Sequence, residues 1–206
     1  MSFLILVRHG QSEWNLINQF TGFTDVELTE KGQAEAKMAA SLIKDIVLHK
    51  AHTSDLKRAQ NTLDIILKEN GHTDIDIKKN AAIKERHYGD LTGMNKDEAK
   101  KQFGEEKFLS YRRSWDIAPP NGESLKDTFN RAVPYFEQEI LADLKAGHNT
   151  IVAAHGNSLR AIIKHLEEIA DDEISNHEIG TGVLYIYEID HDGKIISKEI
   201  RDHAKQ

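Results

Sequence analysis

The sequence predicts an α/β fold, a three-layer α/β/α sandwich on a mixed, mainly parallel sheet. Two observations carry this. Two apolar stretches, Phe3-Leu4-Ile5-Leu6-Val7 and Thr150-Ile151-Val152-Ala153-Ala154, lack the alternation of a half-exposed strand and read as strands buried on both faces. Strand signals then alternate with amphipathic helix signals over most of the chain, which implies a largely parallel sheet covered on both sides.

The first strand ends abruptly in Arg8-His9-Gly10-Gln11-Ser12-Glu13-Trp14-Asn15. Thr29 can cap the next helix, whose Ala39, Leu42, Ile43 and Ile46 make one stripe. Thr53-Ser54-Asp55-Leu56-Lys57-Arg58-Ala59 follows a short strand, and Asp55 precedes a second helix with Ala59, Leu63, Ile66 and Leu67 in line. The region from about Glu85 to Gly122 is polar, loop-like and rich in Arg, Lys, Tyr and Gly; it reads as an insertion over one end of the sheet. Ser124 with Asp127 resembles a capping box, opening a long helix that carries Phe129, Val133, Phe136, Ile140 and Leu144. Pro134 lies inside that pattern and marks a kink or an earlier boundary. Leu159, Ile162, Ile163 and Leu166 form another helical stripe. Val183 to Ile189 reads as a strand, Asp190 to Gly193 as a turn and Lys194 to Ile200 as a returning strand.

At 206 residues, 39% hydrophobic and 30% charged, the chain suits one α/β domain spanning 1–206 and is too short for two with much linker. Cysteine is absent, which excludes a disulfide frame and points to a reducing cytosol. The opening apolar run is too short for a signal peptide and follows no basic segment. No stretch approaches the ~20 apolar residues of a membrane span, so a cytoplasmic protein is expected. A formal net charge of −7 argues against a general nucleic-acid surface. An anionic metabolite would then need cations concentrated locally, against the global field.

The chemistry gathers at strand ends. Arg8 offers a charged fork suited to phosphate, and His9 a nucleophile or base, at the carboxyl edge where open α/β sheets bind ligands. Alone, these could equally be a solvated strand-to-loop junction. The second buried strand, however, also runs into His-Gly, as His155-Gly156-Asn157-Ser158, and a helix follows. Two imidazoles and a guanidinium suit a tetrahedral anion. Arg58 sits near a helix amino end, where free N–H groups favour anions, although a single helix arginine is more often exposed. Glu85 reads as a proton donor or a surface carboxylate. Lys96 is ordinary by itself. Arg112-Arg113, between Tyr111 and Trp115, reads as an anion clamp or a solvated pair. Of eleven histidines, His49 and His52 are the closest pair, but no HExxH pattern or cysteine cluster supports a metal, and none is expected. A module that only held phosphoesters would be expected to lose His9, Glu85 or His155; all three are present.

Together these residues resemble the cofactor-dependent phosphoglycerate mutases, within the histidine phosphatase superfamily. The match runs in order through Arg8-His9-Gly10, Asn15, Phe20-Thr21-Gly22, Thr53-Ser54 with Arg58, Glu85-Arg86-His87-Tyr88-Gly89, Asn95-Lys96, Tyr111-Arg112-Arg113 and His155-Gly156-Asn157. The Arg-His-Gly signature and the later histidine assign only the superfamily; the Glu-Arg-His-Tyr-Gly and Tyr-Arg-Arg segments point to the mutase branch.

The resemblance implies that His9 becomes phosphohistidine, primed by 2,3-bisphosphoglycerate without a metal. His155, Arg8 and Arg58 would stabilise the transferring oxygens, and Glu85 would move the substrate proton. Tyr88, Lys96, Arg112, Arg113, Gly156 and Asn157 would hold the carboxylate and second phosphate, with Asn15, Thr21 and Gly22 completing the pocket. The expected substrates are small phosphorylated three-carbon acids, 3- and 2-phosphoglycerate, and the expected assembly is a homo-oligomer with a dimer favoured. The alternative is a histidine-type phosphomonoester phosphatase of the same superfamily. Three departures from longer members keep it open: a short segment from Pro119-Pro120 to Gly122-Glu123-Ser124, Gly180 where the family usually has proline, and a short tail from Arg201 to Gln206.

Overall fold

A computed structural model describes residues 1–203. Its strands are β1 (Ser2–Arg8), β2 (Lys50–Thr53), β3 (Asp76–Lys79), β4 (Thr150–Ala154), β5 (Leu184–Ile189) and β6 (Ile195–Arg201). They form one sheet in the order β3-β2-β4-β1-β5-β6. The pairs β2–β3, β2–β4 and β1–β4 are parallel, while β1–β5 and the β5–β6 hairpin are antiparallel. The mixed, mainly parallel sheet is the one the sequence predicts.

The helices are α1 (Glu13–Leu16), α2 (Glu30–Ser41), α3 (Lys57–Glu69), α4 (Lys96–Phe103), α5 (Glu105–Arg113), α6 (Leu125–Tyr135), α7 (Leu141–Lys145) and α8 (Gly156–Leu166). Strand side chains alternate between faces, so the two apolar runs feed two cores. Leu4, Leu6, Val152 and Ala154 pack against Ala132, Tyr135, Leu144, Leu159, Ile162 and Ile163 of α6, α7 and α8. Ile5, Val7, Ile151 and Ala153 pack against Ala39, Ala40, Leu63, Ile66 and Leu67 of α2 and α3. These two layers around the sheet make the sandwich. No helix among the described residues is long and apolar enough to cross a membrane.

Thr29 caps α2 by accepting from the Gly32 N–H. The helix ends at Ser41, and Ile43 and Ile46 continue the apolar stripe from the turn beyond, still buried. Asp55 does not cap α3: Leu56 holds the N-cap position without a side-chain bond, and Asp55 pairs with Lys84 at 2.9 Å. The Ser124–Asp127 capping box is present. Pro134 does not end α6; a π-helical turn, Phe136–Ile140, follows it and leads into α7.

One expectation is corrected. The segment from Glu85 to Gly122 is not loop-like, because it contains α4 and α5. Asn95 caps α4 by accepting from the Asp97 and Glu98 N–H groups, and Gly104, with φ 79°, separates the two helices. Half of its apolar cluster lies outside the helices: Ala99 and Phe108 are buried with Phe20 and Leu91, flanked by Tyr88, Met94, Phe103 and Tyr111. The short Pro119–Ser124 connection is tied down at the start of this segment. Asp90 N donates to Pro120 O at 3.0 Å, Glu123 N to His87 O at 2.8 Å, and His87 N to the Glu123 carboxylate at 2.8 Å. At the other end, Arg201 closes β6 with its guanidinium on both oxygens of Asp45, at 2.7 and 3.0 Å; tail residues 204–206 lie outside the described residues.

Candidate active site

Register brings the two histidines together. Arg8 of β1 is paired with Ala154 of β4, so the next residue of each strand, His9 and His155, leaves the sheet at the same edge. Thr53 of β2 is paired with Ala153, which places Ser54 beside them. The His9 and His155 rings lie with centroids 5.0 Å apart, and both are buried. His9 N donates to Ala154 O at 3.0 Å, locking the junction. Gly10 is needed there: a Cβ would stand 2.2 Å from the Gly32 carbonyl oxygen, inside the contact between this loop and α2.

His9 Nδ1 lies 2.7 Å from Gly10 O. A carbonyl can only accept, so Nδ1 carries the proton and Nε2 presents a lone pair. Burial pushes the His9 pKa well below its ordinary value, and the Arg58 and Arg8 charges add to that. The imidazole is therefore neutral and nucleophilic at physiological pH. His155 shares a 2.7 Å hydrogen bond with Ser54 Oγ and is pushed down in the same way, by burial first and then by Arg58.

Arg58, in the first turn of α3 and 1% exposed, donates to His9 Nε2 at 3.3 Å and to the carbonyls of Gly22 and Thr24 at 2.8 Å each. Arg8 donates to Ile179 O at 2.7 Å, while its Nε is buried with no partner. Glu85 is a buried carboxylate whose Oε1 accepts from Arg86 N at 2.8 Å, Asn157 N at 3.1 Å and Asn157 Nδ2 at 2.8 Å. Burial, the largest influence, pushes its carboxyl up. The Arg86 N–H, the Arg8 charge and the Asn157 amide outweigh that, and the net pKa lies below the ordinary value. Glu85 thus rests as a base.

These groups open into two neighbouring cavities. The inner one is lined by Arg8, His9, Asn15, Gln19, Phe20, Thr21, Gly22, Arg58, Glu85, Tyr88 and Lys96. The outer one shares Arg8, Glu85, Tyr88 and Lys96 and adds Arg112, Arg113, Gly156, Asn157, Arg160, Glu178 and Ile179. Every site residue expected from the sequence lines one of them, except His155, which stands against His9. In the outer cavity Arg8, Lys96, Arg112, Arg113 and Arg160 face only Glu85 and Glu178 as carboxylates, so cations are concentrated locally despite the net negative charge. Lys96 is pushed down to about 8 by burial, then by Arg112 and Arg8. Arg112 is likewise lowered, by burial and then by Arg113. Glu178 is ion-paired to Arg113.

Ser54, Arg160 and Glu178 carry no assignment in the sequence reading. Ser54 stood inside a matched segment, and Arg160 lies three residues after Asn157 on one helix face, a spacing that could have shown it. Glu178 had no signal. His52, by contrast, is a core residue, bonded to Tyr135 Oη at 2.8 Å and Asp143 at 2.9 Å. No group of three or more His, Asp or Glu among the described residues could hold a metal ion.

Two imidazoles, two arginines and a buried carboxylate stand together at the carboxyl edge of an α/β sheet, and the sequence matches the histidine phosphatase superfamily (branch 1) over residues 4–200. The chain belongs to that superfamily. Within it, the chain is 53% identical over 197 residues to the 2,3-bisphosphoglycerate-dependent phosphoglycerate mutase of Bradyrhizobium diazoefficiens, covering 95% of both. It is 48% identical over 202 residues to a phosphoglycerate mutase of Schizosaccharomyces pombe, covering 97% of this chain and 96% of that one. Among solved structures, a mycobacterial glucosyl-3-phosphoglycerate phosphatase superposes with a TM-score of 0.83 at 22% identity, over 98% of both chains; at that identity the likeness is one of fold.

Proposed function

We propose that this chain is a 2,3-bisphosphoglycerate-dependent phosphoglycerate mutase, an isomerase that interconverts 3- and 2-phosphoglycerate in glycolysis and gluconeogenesis. The observation that carries this reading is the pair of joined cavities. Transfer to and from His9 needs only the inner one. The outer one supplies cations for a second anionic group, which a monoester phosphatase does not require. Relatives about half identical over nearly the whole chain carry the same name.

The residues present fit a doubly anionic three-carbon acid: Arg8 Nε and Thr21 Oγ1 are buried without partners, and both residues line the inner cavity. Arg8, Arg58, Lys96, Arg112 and Arg113 would hold such a ligand, with Tyr88, Gly156 and Asn157 shaping its outer end and Asn15, Thr21 and Gly22 its inner end. 2,3-Bisphosphoglycerate supplies the phosphoryl group that primes the enzyme. His9 Nε2 forms the N–P bond as the phosphorus–oxygen bond to the departing ligand breaks. Glu85, resting as a carboxylate, takes the proton from the hydroxyl that attacks phosphorylated His9 and returns that same proton to the oxygen that leaves when His9 is phosphorylated again. Arg8, Arg58 and His155 stabilise charge on the equatorial oxygens, so catalysis is mainly positioning and electrostatics. The 85–122 segment, with α4 and α5, covers the site and limits the access of water.

We read the chain as one domain acting in the cytoplasm as a dimer; a monomer mass by light scattering would remove the dimer. The reaction itself is tested by a coupled mutase assay in excess chelator, with and without 2,3-bisphosphoglycerate. Stimulation by that compound and retained activity in chelator are expected. Phosphate release without isomerisation would move the protein to the phosphatase class.

A further inference from the structure

Arg160 stands in the second turn of α8, is only 7% exposed and lines the outer cavity. Its Nη1 donates to Asn157 Oδ1 at 3.3 Å, and its Nε is buried with no partner. Among the described residues no carboxylate forms an ion pair with it; the neighbouring carboxylate, Glu178, is taken by Arg113. A guanidinium removed from water without a counter-charge is costly to the fold, and the pKa of Arg160 is lowered to about 10, by burial first and then by Arg113. A site that keeps such a group is incomplete until an anion enters beside it.

We propose that Arg160 is a further substrate-binding residue, a contact for the anionic group that lies away from His9. The inference rests on the mutase reading above and adds a residue to it. The geometry also gives Arg160 a second effect. By donating to Asn157 Oδ1 it turns that amide so that Nδ2 donates to Glu85 Oε1 at 2.8 Å and Tyr88 Oη at 3.1 Å. Occupation of the outer cavity is thereby linked to the orientation of the group that holds the proton-transfer carboxylate. A planar, five-donor fork suits this task better than a point charge.

The test compares two ligands that differ in one anionic group. Dissociation constants of 3-phosphoglycerate and of glycerol 3-phosphate, which lacks the carboxylate, are measured calorimetrically for wild type, Arg160→Met and Arg160→Lys. The expected result is a loss of about tenfold or more for 3-phosphoglycerate in Arg160→Met, less than twofold for glycerol 3-phosphate, and partial recovery in Arg160→Lys. An equal loss for both ligands would reduce Arg160 to a brace for Asn157 and overturn the proposal, as would no loss for either. Should Arg160→Met fail to fold, the Arg160→Lys protein carries the comparison, and undiminished discrimination there overturns the proposal. A wild-type chain that prefers 3-phosphoglycerate but does not isomerise it would remove the mutase reading and leave the Arg160 contact standing.

Discussion

Arg58 Nε donates to His9 Nε2 at 3.3 Å, so the guanidinium rests on the lone pair that, in the proposed mechanism, would attack phosphorus. The same residue is anchored through its other nitrogens on the Gly22 and Thr24 carbonyls. These contacts hold it beside His9, and in the proposed mechanism an arriving phosphoryl group would meet the nucleophile and its charge stabiliser already in register. The contact also helps keep His9 neutral, since Arg58 is the strongest charge acting on it after burial. Preorganisation of this kind removes reorganisation from the transfer step.

His9→Ala is expected to abolish both isomerisation and labelling by radioactive bisphosphoglycerate. His155, the neighbouring imidazole, is bonded to Ser54 and does not replace the lost nucleophile. The wild-type label should be acid-labile and alkali-stable, as a phosphoramidate is. An acid-stable label, or one that survives the substitution, would sink the assignment.

Glu85→Gln keeps the shape of a side chain that receives three hydrogen bonds but cannot accept a proton. Turnover should fall by roughly 10²–10⁴-fold, with little change in the affinity for 3-phosphoglycerate. Near-normal turnover in the variant would show that Glu85 moves no proton.

Arg113 lines the outer cavity and not the inner one. Removing a charge-assisted contact there should cost ~1.5–3 kcal/mol, or about tenfold to a hundredfold in affinity. Arg113→Ala should therefore lose isomerisation more than hydrolysis of a small phosphomonoester, and Arg112→Ala should behave alike. An equal fall in both activities would put these arginines at the reacting phosphate instead.

Lys96, with a pKa of about 8, is charged below that value and neutral above it. Its attraction for an anionic substrate is present at neutral pH and is lost as pH rises through about 8. The kcat/KM for 3-phosphoglycerate should show this alkaline fall, and Lys96→Arg, which stays charged, should remove it. An unchanged limb in the variant would assign the titration to another group.

The sheet and the edge that carries the candidate site were legible because their signals are local. An unbroken apolar run specifies a strand buried on both faces, and the residue that follows it must emerge at the sheet's end, which places His9 and His155 at one edge; their roles came from the resemblance. The helical segment within 85–122 was not legible for the opposite reason. Its own apolar face is small, and the cluster that stabilises it borrows Phe20 and Leu91 from outside α4 and α5.

By itself, then, the sequence determined which side chains could do chemistry: the strand ends, the glycines beside them and the basic residues of the inserted segment. Tertiary structure alone decided which of them meet. Ser54 reaches His155 across 101 positions of chain, and Asn157 reaches Glu85 across 72. Arg160 becomes an unpaired buried cation only when α8 is laid against the outer cavity, and Glu178 becomes a partner only when its loop returns to Arg113. Such contacts depend on strand register and helix packing, and no local pattern of residues encodes either.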